Sequence, residues 1–432
     1  MPYGAEEHIH NATLRESVYR RDHSSGLPVY FCPKPGFQKR YACYATRFGS
    51  IDLAFERAGA GRVDVPAGIA HFLEHKLFEG EECNAFERFS KFGASSNAYT
   101  GFTVTNYLFS CSRDFVENLK LLISFVQEPF FTAENVEKEK GIIGQEIQMY
   151  DDDPGWQIYM NLMRGLYQKH PVREDIAGTI ESISGIDKAL LDRCYETFYH
   201  PENMILFATG DEDRESFFSL VDAELSKKEF EPLGALDRHL PAEPDAVAAP
   251  NTEVAMSVSM PRVLLGFKDH EAGVGGADLL ERELATDVLL EMLFGRSAPL
   301  YQRLYEAELI DESFGASYTG YLEMGHSLVS GDTPNPAALV GEIEKELDRV
   351  RREGIPRADF ERQKRAAMGS FFRNFNSLEF IANNYCAYRF CDIDLFDSVD
   401  ALHELSFERT MERLESHLVS GGMAVSSVVP NG

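Results

Sequence analysis

The chain has 432 residues, 44% of them hydrophobic, enough to bury substantial cores and to divide into two or more domains. A net charge of −28 argues against nucleic acid or an anionic membrane surface as partner, and no stretch approaches the roughly 18 apolar residues of a bilayer span. Seven scattered cysteines, and an opening MPYGAEEHIHNATLRESVYRRDHSS without the apolar run of a secretory signal, lead us to expect reduced thiols in a cytoplasmic protein.

LPVYFCPKP (27–35) and RYACYATRFGSID (40–52) read as two strands paired through a turn. A helix is expected near 66–79, over GIAHFLEHKLFEG. SSNAYTGFTVTNYLFSCS (95–112) alternates as a strand does, with Phe102, Val104 and Leu108 set against Thr103, Thr105 and Tyr107. Helices fit 113–128 and 132–151, further helical stretches run to about 198, and NMILFATG (203–210) reads as a closing strand. Between about 228 and 252 the periodicity breaks over EPLGALDRHLPAEPDAVAAPNTE, with four prolines, and a linker is expected there; VAMSVSMPRVLLGFK then resumes alternation.

The second half repeats the first. KFGASSNAYTGFTVTNYLFSCSRDFVENLKLLISFV aligns with ESFGASYTGYLEMGHSLVSGDTPNPAALVGEIEKEL, and FTAENVEKEKGIIGQEI with IPRADFERQKRAAMGSF. VLLEMLF (288–294) falls where HFLEHKLF sits. A duplication of this kind predicts an α+β protein of two homologous domains, each a mainly antiparallel sheet with helices packed on one face. The expected boundaries are 1–230 and 253–432, joined by a linker at 231–252.

Within HFLEH, His71 and His75 are one turn apart on the helix and can aim at a common point, with Glu74 beside it. Burying three ionisable groups in so apolar a helix is costly unless they find partners, and a shared metal ion is one solution. A pair of core histidines bonded to backbone is the other. Zinc takes four ligands, three from protein at a catalytic site, so a third is needed. NVEKEKGIIGQEIQMY (135–150) offers Glu139 and Glu146, seven apart and within about 20° of each other around a helix whose stripe is Val136, Ile143, Ile147 and Tyr150. These glutamates either face cations or flank the stripe and reach to water.

H-x-x-E-H followed by such a glutamate helix resembles the pitrilysin/insulinase family of zinc peptidases. SSNAYTGFT is similar to the family's N-A-x-T edge strand, EKEKGIIGQEI to its E-x6-E helix, and FYHPENMILFATG to the end of its first domain. The likeness spans nearly the whole chain and points to the short, two-domain bacterial branch, in which the two domains make one half of a clamshell. It implies one zinc held by His71, His75 and Glu146, and Glu74 as general base. Glu139 would orient a ligand from behind, and Asn97 and Ala98 would present backbone groups to an extended peptide.

Two departures stand out. In the second half Val288 and Met292 replace the histidines and Gln363 and Ser370 replace the glutamates, although Glu291 persists. The family's arginine and tyrosine, seven apart in the later domain, fall at Tyr305 and Glu312 of SAPLYQRLYEAELIDESFG, with Arg303 out of register. The resemblance therefore implies a homodimer, or a heterodimer with a sister subunit supplying the missing pair. Two functions follow as expectations. One is a zinc endopeptidase acting on short or unfolded polypeptides; the other is a weak or inactive zinc-bearing subunit that binds peptides or assembles with a partner.

Overall fold

The computed structural model describes residues 4–81, 83–271 and 273–431. They divide into two compact units, each drawn from separate stretches of chain. The first comprises Met1–Ile147, Glu174–Leu240 and Asn374–Phe390; the second comprises Gln148–Arg173, Pro241–Arg373 and Cys391–Gly432. The α+β class with mainly antiparallel sheets is the one observed.

In the first unit a seven-stranded sheet runs, edge to edge, through Glu7–Asn11, Glu16–Asp22, Pro28–Pro33, Met204–Gly210, Arg40–Thr46, Thr105–Cys111 and Ser95–Thr100. Pro28–Pro33 and Arg40–Thr46 do not pair with each other, contrary to the hairpin their spacing suggests. Met204–Gly210 lies between them, parallel to the former and antiparallel to the latter. This strand is buried along its whole length, and its apolar run MILFA is the pattern of a central strand covered on both faces. It is the last strand of this sheet in sequence yet lies in its middle.

SSNAYTGFTVTNYLFSCS is two strands rather than one: Ser95–Thr100 and Thr105–Cys111 form a hairpin. Phe102 and Val104 belong to its turn, and Thr105 and Tyr107, which alternation had put on the polar side, are among the buried residues of the second strand. Tyr107 is buried because its hydroxyl meets that of Tyr199 at 2.7 Å, a polar tip satisfied inside the core.

Neighbouring residues show how the sheet is covered. Phe31 stacks on Phe217 of the helix Arg214–Leu225, whereas Tyr30 packs against Tyr385 of Leu378–Arg389, a helix from far along the chain. Consecutive strand residues point to opposite faces, so a helix also lies on the second face of this sheet. Part of the expected linker is ordered as well: Leu236–Arg238 pairs antiparallel with Ala54–Arg57 in a small three-stranded sheet.

The second unit repeats the plan with five strands, in the order Asn251–Met256, Met423–Pro430, Arg262–Lys268, Gly325–Asp332 and Gly315–Gly320. Its hairpin Gly315–Gly320/Gly325–Asp332 and the helices Pro336–Glu353 and Arg357–Asn374 follow in the same order as their counterparts in the first unit. Here the helix Pro154–Leu166, from the first half of the sequence, packs on the sheet. A Cβ at Gly266 would come within 2.7 Å of Leu166 and 2.9 Å of Leu162, so the missing side chain admits that helix.

Candidate metal centre

The helix Ile69–Leu77 starts at Gly68, whose φ of +93° suits only glycine; a Cβ there would lie 2.5 Å from the Ala177 carbonyl oxygen. Every residue of the helix except His75 is buried. The helix Ala133–Asp151 is started by a reciprocal cap. The Asn135 N–H donates to Thr132 Oγ1 (3.0 Å) and the Thr132 N–H to Asn135 Oδ1 (2.9 Å). Its buried residues Val136, Glu139, Ile143 and Ile147 lie on one stripe, which turns Glu139 and Glu146 toward the histidine helix.

The two helices bring their ionisable groups together. Glu146 Oε1 is 3.6 Å from His71 Nε2, and Glu146 Oε2 is 3.4 Å from His75 Nε2. One donor atom from each of the three residues lies within 4.8 Å of the others, and among the described residues this is the one such group of histidine, cysteine or acidic side chains. Ligand atoms around a tetrahedral zinc with bonds of ~2.0–2.2 Å are about 3.3–3.6 Å apart, so the spacing and the His2Glu donor set fit that ion.

Glu139 stands behind His75. Its Oε1 is 3.1 Å from His75 Nδ1, and its Oε2 is 3.5 Å from the ammonium of Lys76, which is fully buried and also pairs with Glu79. Burial disfavours the Glu139 carboxylate, but the hydrogen bond from His75 and the Lys76 charge outweigh it and hold its pKa below the usual range. Burial likewise opposes the His75 imidazolium, yet the bond to Glu139 and the charges of Glu146 and Glu74 raise its pKa. A neutral His75 that donates from Nδ1 turns the Nε2 lone pair toward Glu146. No equivalent stands behind the other imidazole: His71 Nδ1 is buried without a hydrogen-bond partner among the described residues.

Glu74 is buried at the same helix face, and its Oε2 accepts a 2.6 Å hydrogen bond from Thr100 Oγ1. Asn97 and Ala98 lie on Ser95–Thr100, an edge strand of the seven-stranded sheet. Between this edge and the histidine helix is a cavity of about 640 Å³, lined by Glu74, His75, Phe78, Phe86, Asn97 and Ala98 among others. Phe78 and Phe86 form one wall, stacked 4.1 Å apart.

Lys76 and the Phe78–Phe86 stack were not among the expected site residues, and Thr100, the last residue of the N-A-x-T strand, was given no role of its own. Thr100 carried a signal, since it shares a strand face with Ala98, two residues away. Lys76 carried part of one, since Glu79 follows at helical spacing, but its second partner Glu139 comes from another helix; the stack carried none.

The second unit shows why its copy of the motif cannot take a metal. Val288 and Met292 are buried in an apolar cluster with Phe360, Leu402 and Leu405. Gln363, at the position of Glu139, donates its amide to the Glu291 carbonyl and to Ser297 Oγ. Tyr305 is 52% exposed, and Arg303 is tied to Glu346 at 2.7 Å.

Residues 62–180 match the family model described as insulinase (peptidase family M16), and residues 185–367 match the peptidase M16 inactive domain. The chain is 44% identical over 418 residues to YmfH of Bacillus subtilis (strain 168), described as an uncharacterised zinc protease, covering 96% of this chain and 97% of that one. This chain belongs to the insulinase (peptidase M16) family. Within it, the crystal structure of an M16-like peptidase from Alicyclobacillus acidocaldarius superposes with a TM-score of 0.92 at 38% identity, covering 100% of this chain and 99% of that one. A Helicobacter pylori protease shares the fold, with a TM-score of 0.80 at 18% identity over 100% of both chains. The stretch matching the M16 inactive domain includes Val288 and Met292, where the metal-binding pattern is lost. No helix among the described residues is long and apolar enough to cross a membrane.

Proposed function

We propose that this M16 family member is a zinc-dependent endopeptidase that hydrolyses short or unfolded polypeptides. The observation that carries the reading is the convergence of His71, His75 and Glu146 from two helices, with the Glu74 carboxylate on the same face as the histidines. These three would hold the ion, and Glu139 would keep His75 in the ligating tautomer. Bound zinc would supply Lewis acidity, polarising a peptide carbonyl and making water nucleophilic near neutral pH.

The rest is work for the chain's own groups. Glu74 takes the proton of the attacking water and delivers it to the departing amine. An extended peptide adds to the edge strand Ser95–Thr100 at Asn97 and Ala98, its backbone pairing as one more strand. The cavity walled by Phe78 and Phe86 takes a substrate side chain. Peptidase rate and metal content, measured for wild type and Glu74→Gln, test this. Metal retained in both with activity lost only in the variant is expected; a wild type that holds no zinc would end it.

One observation favours a second subunit. Tyr305 and Glu312 stand where the family's arginine and tyrosine are expected, and Arg303 is held by Glu346. A heterodimer whose sister supplies that pair would complete the site, whereas a homodimer would carry Tyr305 and Glu312 in both copies; without such a sister the chain would act as a weak or inactive peptide-binding subunit. A cytoplasmic location belongs to the same proposal. Co-purification with a co-expressed neighbouring gene product of similar length, and a gain in rate, is the outcome expected of the heterodimer.

A further inference from the structure

We propose that Thr100 is a positioning residue for the general base: its hydroxyl locks the Glu74 carboxylate in one orientation, registered to the strand that receives the peptide. The inference rests on the peptidase reading and concerns a residue that this reading does not use.

Counting protons assigns the bond. Thr100 Oγ1 lies 2.6 Å from Glu74 Oε2 and 3.3 Å from Thr105 Oγ1. Thr105 spends its own hydroxyl proton on the Phe48 carbonyl at 2.9 Å, so it can only accept from Thr100. The carboxylate is nearer and charged, and 2.6 Å is the length of a charge-assisted O–H···O⁻ bond. The Thr100 proton therefore goes to Glu74 Oε2, which leaves Oε1 as the oxygen that meets the water proton.

The anchor is rigid on both sides. Glu74 is on a buried helix, and Thr100 pairs with Thr105 in the hairpin register, whose hydroxyl ties it to the Phe48 backbone. A glutamate has three side-chain torsions, and the last is broad and weakly held unless a hydrogen bond fixes it. Thr100 supplies that bond from the strand carrying Asn97 and Ala98. The base is thus held in register with the peptide backbone, whichever side chains the substrate carries. A misplacement of about 1 Å in such a group costs on the order of 100-fold in rate.

Thr100→Val keeps the branched shape and removes the proton; Thr100→Ser keeps the proton and removes a methyl. For Val we expect unchanged zinc content and KM, kcat lower by about 10- to 100-fold, and a crystal structure of the zinc-free variant in which the Glu74 carboxylate has rotated. Ser should restore kcat to within a few-fold and return the carboxylate to its place. The proposal is overturned if Val leaves the carboxylate where it is, if Val retains wild-type kcat, or if Ser is as slow as Val, which would make the role one of packing. The Glu74 orientation is read without activity, so an inert wild type would sink the peptidase reading and leave this inference to be decided by the structures.

Discussion

Glu139 and Glu146, two turns apart on one helix, flank the two nitrogens of a single imidazole: Glu139 Oε1 is 3.1 Å from His75 Nδ1 and Glu146 Oε2 is 3.4 Å from His75 Nε2. Glu139 orients the His75 ring through its hydrogen bond, whereas His71 Nδ1 has no such partner among the described residues. The carboxylate behind His75 therefore serves that ligand alone.

Glu139→Gln should weaken zinc binding by about 10- to 100-fold, the usual effect of losing a ligand's outer partner. The amide can still meet His75, but it no longer balances the buried Lys76. Glu146→Ala should go further and abolish stoichiometric zinc. Competition against a chelator of known affinity measures both, and equal affinities for wild type and Glu139→Gln would remove Glu139 from the site.

Gly68→Ala tests how the helix start places the ligands. The new methyl meets the Ala177 carbonyl at 2.5 Å, at a φ of +93° that side chains avoid. Strain and overpacking together should cost about 2–4 kcal/mol of stability. Zinc affinity should fall as well, since His71 is only three residues on. Urea unfolding and the chelator assay report the two effects, and a variant as stable as wild type would show that the loops simply move apart.

Phe86→Ala opens the wall of the cavity beside Glu74. Phe86 is 43% exposed and stacked on Phe78, so its loss should barely touch folding. A stacking contact of ~0.5–1.5 kcal/mol predicts KM higher by about 2- to 10-fold for substrates with a large apolar side chain in that cavity, and little change in kcat. Equal losses for every peptide in a library would indicate that the cavity does not read the side chain.

The second unit should be acid-sensitive. Burial lowers the pKa of His170 and His326 to about 4 and of His417 to about 3, against partial compensation from Glu243 for the first and Asp269 for the other two. Their folded values lie below the unfolded one near 6.5, so between these limits the unfolded chain binds more protons. Stability is complete above pH 6.5 and falls as the pH drops, by about 1–2 kcal/mol per histidine at pH 5. Thermal melts at pH 7 and 5 measure it, and His326→Asn should reduce the difference by about one histidine's share of the three. Identical melting at the two values would contradict the buried, neutral state of these rings.

The sequence by itself determined the kind of fold and which side chains the candidate site would bring together. Helical spacing put His71, Glu74 and His75 on one helix face, and a second periodic stretch turned Glu139 and Glu146 one way, because a helix repeats regardless of what it packs against. The internal repeat likewise declared a second copy without its ligands. Only the tertiary structure decided which strand lies beside which, and which helix covers which sheet. Pro28–Pro33 and Arg40–Thr46 look like a hairpin until Met204–Gly210, far along the chain, takes the place between them. Pro154–Leu166 and Leu378–Arg389 show apolar faces in sequence, but an apolar face does not name its partner. Burial is non-directional, and the notch left by Gly266 and the rings of Tyr30 and Phe207 selected the matching sheet by shape. The same reason hid Lys76, the Phe78–Phe86 stack and the bond from Thr100 to Glu74. The Lys76–Glu139 and Thr100–Glu74 contacts join segments that the sequence holds apart, and the stack joins two successive helices whose angle the sequence does not give.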